Sequence, residues 1–144
     1  MKSLIVSTLV IGVYIFFIFQ APKVKAWQEQ YQVQIKNDIN DSLPLGLQCH
    51  SSENDLGSHT LYKGGIFKFH FGINYFFSTK FVCDAQWSGL KARIYVFNKN
   101  LAKTHCGNDL GRNCCWSVRR DGFFIGSAEY APHFEKVYDW GAGY

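Results

Sequence analysis

The sequence predicts an all-β protein, a single-domain antiparallel β-sandwich of about eight short strands held by two disulfides. Three observations support this prediction. Apolar residues recur at every second position in short segments, turn-forming residues separate these segments, and five cysteines follow an apolar leader. Such alternation places one face of each strand in a core and the other in solvent. No segment after the leader keeps a helical period for three turns.

Residues 1–26 have the layout of a secretory signal peptide. Lys2 precedes an apolar run over residues 4–19, and Val24-Lys25-Ala26 offers the small residues at which a signal peptide is cleaved. The run spans about 16 residues, whereas a membrane-spanning helix needs roughly 20. We therefore expect cleavage before Trp27 and a secreted domain over residues 27–144 that is not embedded in a membrane. A retained N-terminal anchor is the alternative.

The charge of the domain is close to neutral once the leader is removed. The full chain carries a formal charge of +4, and the leader contains three lysines and no acidic residue. Twelve basic and 11 acidic residues remain, and the densest basic pair is Arg119-Arg120. Nucleic-acid-binding domains present larger basic clusters, so no nucleic-acid partner is expected.

Strands are predicted at short intervals along the domain. The first segment alternates Tyr31, Val33 and Ile35 with polar residues, as half-buried strands do. Val, Ile, Thr, Phe and Tyr dominate the other segments, which agrees with strand propensity. The predicted strands cover residues 30–38, 44–50, 58–62, 66–72, 79–87, 91–98, 113–120, 123–127 and 134–139.

Turn signals separate these strands. Ser88-Gly89 and Asp121-Gly122 are typical of tight hairpins between neighbouring strands. The polar segment 99–112 is predicted to be the longest loop, and segment 50–58 the next. Many short strands with glycine-rich turns indicate a sandwich or a barrel.

Four of the five cysteines are expected to form the two disulfides, namely Cys49, Cys83, Cys106 and Cys114. Four cysteines allow three pairings, and the sequence alone does not choose between them. We expect Cys49 to pair with Cys114 and Cys83 with Cys106. Cys115 is then the unpaired thiol, unless it replaces Cys114 in a bridge. A monomer is expected, with a covalent dimer through the spare thiol as the alternative.

No cofactor, metal site or catalytic site is predicted, so the chain is expected not to be an enzyme. Cys49-His50 and His105-Cys106 place metal-binding residue types side by side, but neighbouring strand residues point apart. Cys–His catalysis needs a reactive thiol beside a positioned histidine, and no such signature surrounds Cys115. Glu53-Asn54-Asp55 lacks the spacing of a calcium loop and is better explained by Asp55 capping its own backbone.

Asn40-Asp41-Ser42 fits the acceptor motif for N-glycosylation in a predicted turn of a secreted protein. Asn40 is therefore a candidate glycosylation site.

The order of the motifs resembles the plant self-incompatibility protein family, founded by the stigma S-proteins of poppy. The resemblance covers residues 30–140. Two positions depart from the family pattern, because Val82 stands where an aromatic residue is usual and Cys115 is an extra thiol. The matching motifs are C-H-S at 49–51, D-L-G at 55–57, Cys83 followed by Trp87, and Cys114 with Trp116 leading to Asp121-Gly122.

The resemblance implies a secreted β-sandwich with two disulfides and without catalytic residues. The family's founding members act as pistil-side ligands that trigger rejection of self pollen through a pollen membrane receptor. Residues at matching positions are implied to be framework: the cysteines as disulfides, the tryptophans as core and the Asp-Gly pairs as turns. These framework positions are Trp87, Trp116, Asp55, Gly57, Asp121 and Gly122.

We therefore expect a secreted extracellular signalling ligand that binds a cell-surface receptor of unknown identity. Variable loops on a rigid scaffold are the natural place for specificity, and the expected loops are 51–58, 72–79 and 99–112. The alternative is a secreted binding or defence module that recognises cell-wall glycans or microbial surfaces. A row of exposed Trp or Tyr along one sheet would favour that alternative.

Overall fold

The computed structural model describes residues 8, 10–15, 29–74, 76, 78–107 and 111–144 of the 144-residue chain. Residues 10–15 are helical. The expected cleavage site before Trp27 lies outside the described residues, so the boundary between leader and domain stays a prediction. The helices within the described residues are all too short or too polar to cross a bilayer.

Nine strands occur in the described part of the chain, and eight of them begin within two residues of the predicted position. The all-β fold is confirmed, and the nine strands correspond one by one to the nine predicted segments. The strands are β1 Gln30–Asn37, β2 Leu45–His50, β3 Asp55–Leu61, β4 Ile66–Gly72, β5 Phe81–Trp87, β6 Leu90–Phe97, β7 Asn113–Arg119, β8 Gly122–Gly126 and β9 Glu135–Tyr138.

Strand β3 begins earlier than predicted, because its turn residues lie inside the strand. The Oδ1 atom of Asp55 accepts a hydrogen bond from the Gly57 backbone N–H at 2.9 Å. Gly57 has a φ of 76°, a conformation that glycine adopts without steric cost. The pairing register with β2 shifts at the same place, between Gln48 and His50. The expected turn is therefore a bulge, and it shortens the preceding loop to residues 51–54.

The strands form two sheets. One sheet has five strands in the order β4-β1-β7-β8-β9, and the other has four in the order β3-β2-β5-β6. The predicted antiparallel β-sandwich is confirmed, with one parallel pair among its strands: β1 and β7 run in parallel from Gln32↔Asn113 to Asn37↔Val118. Parallel neighbours need a long connection, and this one contains the whole four-stranded sheet.

The core lies between the two sheets. Trp116 of β7 is 1% exposed, and its Nε1 donates a hydrogen bond to the Val96 carbonyl of β6 at 2.9 Å. The indole therefore joins the two sheets through both its rings and its polar atom. Trp87 of β5 is also buried, and the Arg120 guanidinium lies 5.4 Å from its ring centroid. Both predicted framework tryptophans are thus in the core.

A short helix, α1 (Lys99–His105), replaces the first half of the predicted loop 99–112. The Asn98 side chain caps it by accepting a hydrogen bond from the Leu101 N–H at 2.9 Å. Leu101 and Ala102 are buried against the sandwich. The helix has only seven residues, so its sequence shows no helical period over three turns.

The hairpin turn between β5 and β6 lies where the sequence predicts it, whereas the turn between β7 and β8 lies one residue earlier than predicted, at residues 120–121. Ser88 and Gly89 have φ values of 49° and 77°, which is the conformation of a type I′ turn between β5 and β6. Gly122 opens β8 with a φ of 140° and packs against the Tyr138 carbonyl, so a side chain at this position would clash with the neighbouring strand.

The two disulfides are Cys49–Cys83 and Cys106–Cys114. The prediction of two disulfides is confirmed, but the expected pairing is wrong. Cys49 and Cys83 are directly opposite each other on the paired strands β2 and β5, with their Cα atoms 4.1 Å apart. Cys114 is instead the first residue of β7 that faces the core, and it lies next to Cys106, which follows the last residue of α1. The β2–β5 register brings Cys49 and Cys83 together, and helix α1 places Cys106 beside Cys114; the sequence pattern reveals neither arrangement.

Candidate functional site

Four connections lie at one end of the sandwich, which we call the loop end: residues 51–54, 73–80, 98–112 and 127–134. The pairings His50↔Val82 and Phe81↔Phe97 show that β2 ends, β5 begins and β6 ends at the same level of the four-stranded sheet. The first three connections therefore lie beside one another at this end of the strands. In the five-stranded sheet, Gln30↔Gly72 and Cys115↔Gly126 place the starts of β1 and β7 at this same end. The three loops expected from the sequence thus share one surface.

A groove separates two of these loops at the loop end. Its volume is about 240 Å³, and its walls come from residues 51–54 on one side and from Asn74 and residues 78–80 on the other. Phe71 and the buried Phe81 also line it, with their ring centroids 4.6 Å apart. Serine and threonine hydroxyls, the Asn54 and Asn74 amides and the oppositely charged Glu53 and Lys80 form the rest of the lining.

Side-chain hydrogen bonds hold both walls of the groove in place. The Asn74 Oδ1 accepts from the Ser78 N–H at 2.8 Å, and the Asn74 N–H donates to the Thr79 Oγ1 at 3.0 Å. On the other wall, the Ser51 Oγ accepts from the Asn54 N–H at 3.0 Å. The loops therefore present a groove that is ordered before any partner binds, which lowers the entropic cost of binding.

The other half of the loop end is formed by α1 and residues 127–134. The Nδ1 of His105 lies 3.4 Å from the Glu135 carboxylate, so the end of α1 contacts the start of β9. The Cys106–Cys114 disulfide fixes the same end of the helix to β7. Residues 127–134 were not among the predicted loops, yet they carry the exposed Tyr130 at this end. Their sequence, SAEYAPHF, has no motif that distinguishes it from an ordinary connection.

Cys115 is a free and buried thiol. It lies on the outer face of β7 beside Gly126, where Ala131 and Phe134 pack. The side chain is 3% exposed, and burial, assisted by the negative charge of Glu129, raises the pKa of the Cys115 thiol to about 11. A covalent dimer through Cys115 would require segment 127–134 to open, so the folded chain does not favour that expected alternative.

Asn40, the candidate glycosylation site, lies at the end opposite the loop end. It follows β1 in an exposed loop, and the Arg120 guanidinium donates to the Asn40 carbonyl at 3.1 Å. Asp41 in the same loop lies 3.5 Å from Arg120. The Asn40 side chain faces solvent, and the full length of the strands separates it from the groove.

Exposed aromatic rings do not form a row along one sheet in the described part of the chain. Phe76 and Tyr130 are at the loop end, and Tyr62 is at the opposite end. Tyr95 and Tyr144 share the outer face of the four-stranded sheet. Trp87 and Trp116 are buried and Trp140 is partly buried, so the tryptophans described here serve packing.

The cysteine–histidine neighbours do not converge. Cys49 and Cys83 are bonded in the core, whereas His50 is exposed on the outer face of β2. Within the described residues, no group of three His, Cys, Asp or Glu side chains could hold a metal ion. Asp84 is the acidic group with a clear perturbation, since its hydrogen bond with Arg93 lowers the pKa of the carboxyl.

The described residues thus define a small β-sandwich scaffold with two buried disulfides and ordered loops at one end. Residues 32–140 match the plant self-incompatibility protein S1 family, and the chain belongs to that family. The resemblance expected from the motifs is therefore confirmed. The family consists of small, secreted plant proteins, so the extracellular location expected from the leader is that of the family.

Named relatives show the same membership. The chain is 33% identical to S-protein homolog 24 of Arabidopsis thaliana over 110 residues, covering 76% of this chain and 68% of that one. It is 30% identical to self-incompatibility protein S1 of Papaver rhoeas over 93 residues, covering 65% and 66% of the two chains. A solved structure of a self-incompatibility protein homologue superimposes with a TM-score of 0.58 at 17% identity, over 78% of this chain and 96% of the other.

Proposed function

We propose that the protein is a secreted signalling ligand that a cell-surface receptor recognises through the loop end. Family membership supports an extracellular protein of the self-incompatibility type. The observation that carries the receptor proposal is the groove between residues 51–54 on one side and Asn74 and residues 78–80 on the other, whose walls are fixed by their own hydrogen bonds. A fixed, polar surface on a disulfide-bonded scaffold suits selective protein recognition.

Charge reversal at the groove tests this proposal. Lys80 lines the groove and is exposed, whereas Lys63 is an exposed lysine at the opposite end. Lys80→Glu should weaken binding of the labelled mature protein to plant plasma-membrane vesicles by about tenfold or more, as expected when a charge at the centre of an interface is reversed. Lys63→Glu makes the same change in net charge and should leave binding unaltered.

Several outcomes would contradict the proposal. Binding that falls equally in both variants would indicate a general charge effect, and binding that changes in neither would place recognition elsewhere. If the protein binds no membrane fraction from any tissue, the receptor proposal fails as a whole. Thermal unfolding of both variants serves as the folding control, because neither lysine is buried.

We further propose that Asn40 carries an N-linked glycan on the secreted protein. The motif lies in an exposed loop away from the groove, so a glycan there leaves the loop end accessible. The glycan would extend the surface at the opposite end, beside Tyr62 and Lys63.

A further inference from the structure

The outer face of the four-stranded sheet carries polar side chains in two rows that cross all four strands. Residues directly opposite one another in neighbouring strands share a face, so the register defines each row. Strand β2 supplies one central position to each row, Gly46 and Gln48. The first row is Thr60, Gly46, Gln86 and Lys91, and the second is Ser58, Gln48, Asp84 and Arg93.

A depression lies across these rows. Gly46 has no side chain, and a Cβ atom built on it would have the Gln86 carbonyl as its nearest neighbour, at 3.8 Å. The resulting hollow has a volume of about 370 Å³ and is lined by residues of both rows and by Tyr144.

Tyr144 is held over this depression although its side chain is exposed. Residues 141–142 continue the sheet beside β6, since the Gly141 N–H donates to the Lys91 carbonyl and the Arg93 N–H donates to the Ala142 carbonyl, each at 2.8 Å. The Tyr144 hydroxyl donates to the Asp84 carboxylate at 3.3 Å, and the Arg93 guanidinium lies 5.6 Å from the ring centroid. The residue is nevertheless 72% exposed, so an aromatic surface is fixed in solvent.

We propose that this face binds a neutral oligosaccharide through its polar rows and one aromatic ring, Tyr144, and not through the row of exposed aromatic rings that the sequence led us to expect of a glycan-binding module. The Gln48 and Gln86 amides and the Ser58 and Thr60 hydroxyls can each donate and accept hydrogen bonds, as sugar hydroxyls do. The Asp84 Oδ1 already accepts from Arg93 and Tyr144, so the Oδ2 atom is the one that can accept from a sugar hydroxyl. The exposed Tyr144 ring offers an apolar surface for the C–H face of a sugar ring.

The charges on this face support a neutral ligand. Arg93 lies 2.7 Å from Asp84, so the two charges in the second row compensate each other. Lys91 adds a single positive charge at the edge of the depression. An acidic oligosaccharide would require several cationic partners, and the centre of the face supplies uncharged amides and hydroxyls instead.

The inference is tested by NMR with the secreted, disulfide-bonded protein. Cellohexaose and a xyloglucan heptasaccharide are the neutral probes, and oligogalacturonate is the acidic comparison. A shallow site of this kind should bind with a Kd near about 1 mM, so titration continues to about 10 mM. We expect shifts of the backbone amides in β2, β5 and β6, together with the side-chain amides of Gln48 and Gln86.

Two variants remove different parts of the site. Tyr144→Ala removes the ring and should weaken binding about tenfold, the effect of losing one aromatic contact. Gly46→Gln fills the depression and should abolish the shifts, and the free space around Gly46 allows the fold to tolerate it. Tyr62→Ala is the matched control, because it removes an exposed tyrosine at the opposite end.

Four results would overturn the inference. They are no shift with either neutral probe, shifts confined to the loop end, unchanged affinity in Tyr144→Ala, and a preference for oligogalacturonate that disappears with salt. The receptor proposal is unaffected by these results, since it depends on Lys80 and on vesicle binding.

Discussion

The two disulfides should contribute unequally to stability, because they close loops of very different length. Cys49–Cys83 spans 34 residues and Cys106–Cys114 spans eight. On the chain-entropy account, these lengths correspond to about 4 and about 2.5 kcal/mol of stabilisation, respectively. Because all four cysteines are buried, the packing lost on replacement by alanine is similar for the two pairs. The difference in the free energy of unfolding between the two double variants therefore measures the contribution of loop-closure entropy.

The experiment compares the double variants Cys49→Ala/Cys83→Ala and Cys106→Ala/Cys114→Ala in guanidinium unfolding, with fluorescence of the buried tryptophans as the signal. We expect the first variant to lose about 1.5 kcal/mol more than the second. A tryptic map without reduction provides the independent control, since cleavage after Arg112 separates Cys106 from Cys114 in sequence.

Two results would refute this reasoning. The first is an equal loss of unfolding free energy in the two variants, or a larger loss in the variant without Cys106–Cys114. Either would show that these disulfides do not stabilise the fold mainly by constraining the unfolded chain. A map that linked Cys49 to Cys114 would contradict the strand register itself, because Cys49 lies opposite Cys83 in the paired strands.

Three further predictions concern single residues. The pKa of Cys115 is raised from 9.0 to about 11 in the folded state, so its contribution to stability is complete below about pH 9 and is lost by about pH 11. That loss amounts to about 3 kcal/mol, and Cys115→Ala should remove this part of the alkaline destabilisation in urea titrations. Ser88→Asn should raise the free energy of unfolding by about 0.5 kcal/mol, because Asn tolerates a positive φ at the first position of a type I′ turn better than Ser; a lower Tm would contradict it. Asn40→Gln should remove a glycosidase-sensitive mass from the secreted protein without changing vesicle binding, and weaker binding would place Asn40 near the receptor.

The strands were predictable because their signal is local. Tyr31, Val33 and Ile35 alternate with polar neighbours, and this pattern depends on the burial of one sheet face alone. Ser88-Gly89 was equally predictable, since the positive φ values of a tight hairpin restrict the residues that fit.

The disulfide pairing and the parallel pair were not predictable, because both depend on which distant strands become neighbours. Cys83 is opposite Cys49 only through the β2–β5 register, and Val33 is opposite Cys114 only because β7 enters beside β1. Alternation also failed on the outer face of the five-stranded sheet. Cys115 lies there under segment 127–134, so a position that the strand period assigns to solvent is buried.

The candidate site was predictable in part. Turn residues in the sequence predicted three of the four connections that form the loop end. They did not predict that these connections lie beside one another. Helix α1 was missed because a seven-residue helix depends on the Asn98 cap and on the burial of Leu101. For the outer face of the four-stranded sheet, the sequence predicted only that polar residues alternate along each strand. It did not predict the two rows, because cross-strand neighbours such as Gln48 and Asp84 are distant in sequence.

The position of β1 determines when each half of the sandwich can assemble. All strands of the four-stranded sheet precede β7 in the chain, so this sheet and its Cys49–Cys83 bond can form before β7 is synthesised. Strand β1 lies between β4 and β7, and its parallel partner is among the last strands to be synthesised. The first strand to enter the secretory pathway therefore completes its pairing near the end of folding, and until then one of its edges is open to chaperones or to other chains.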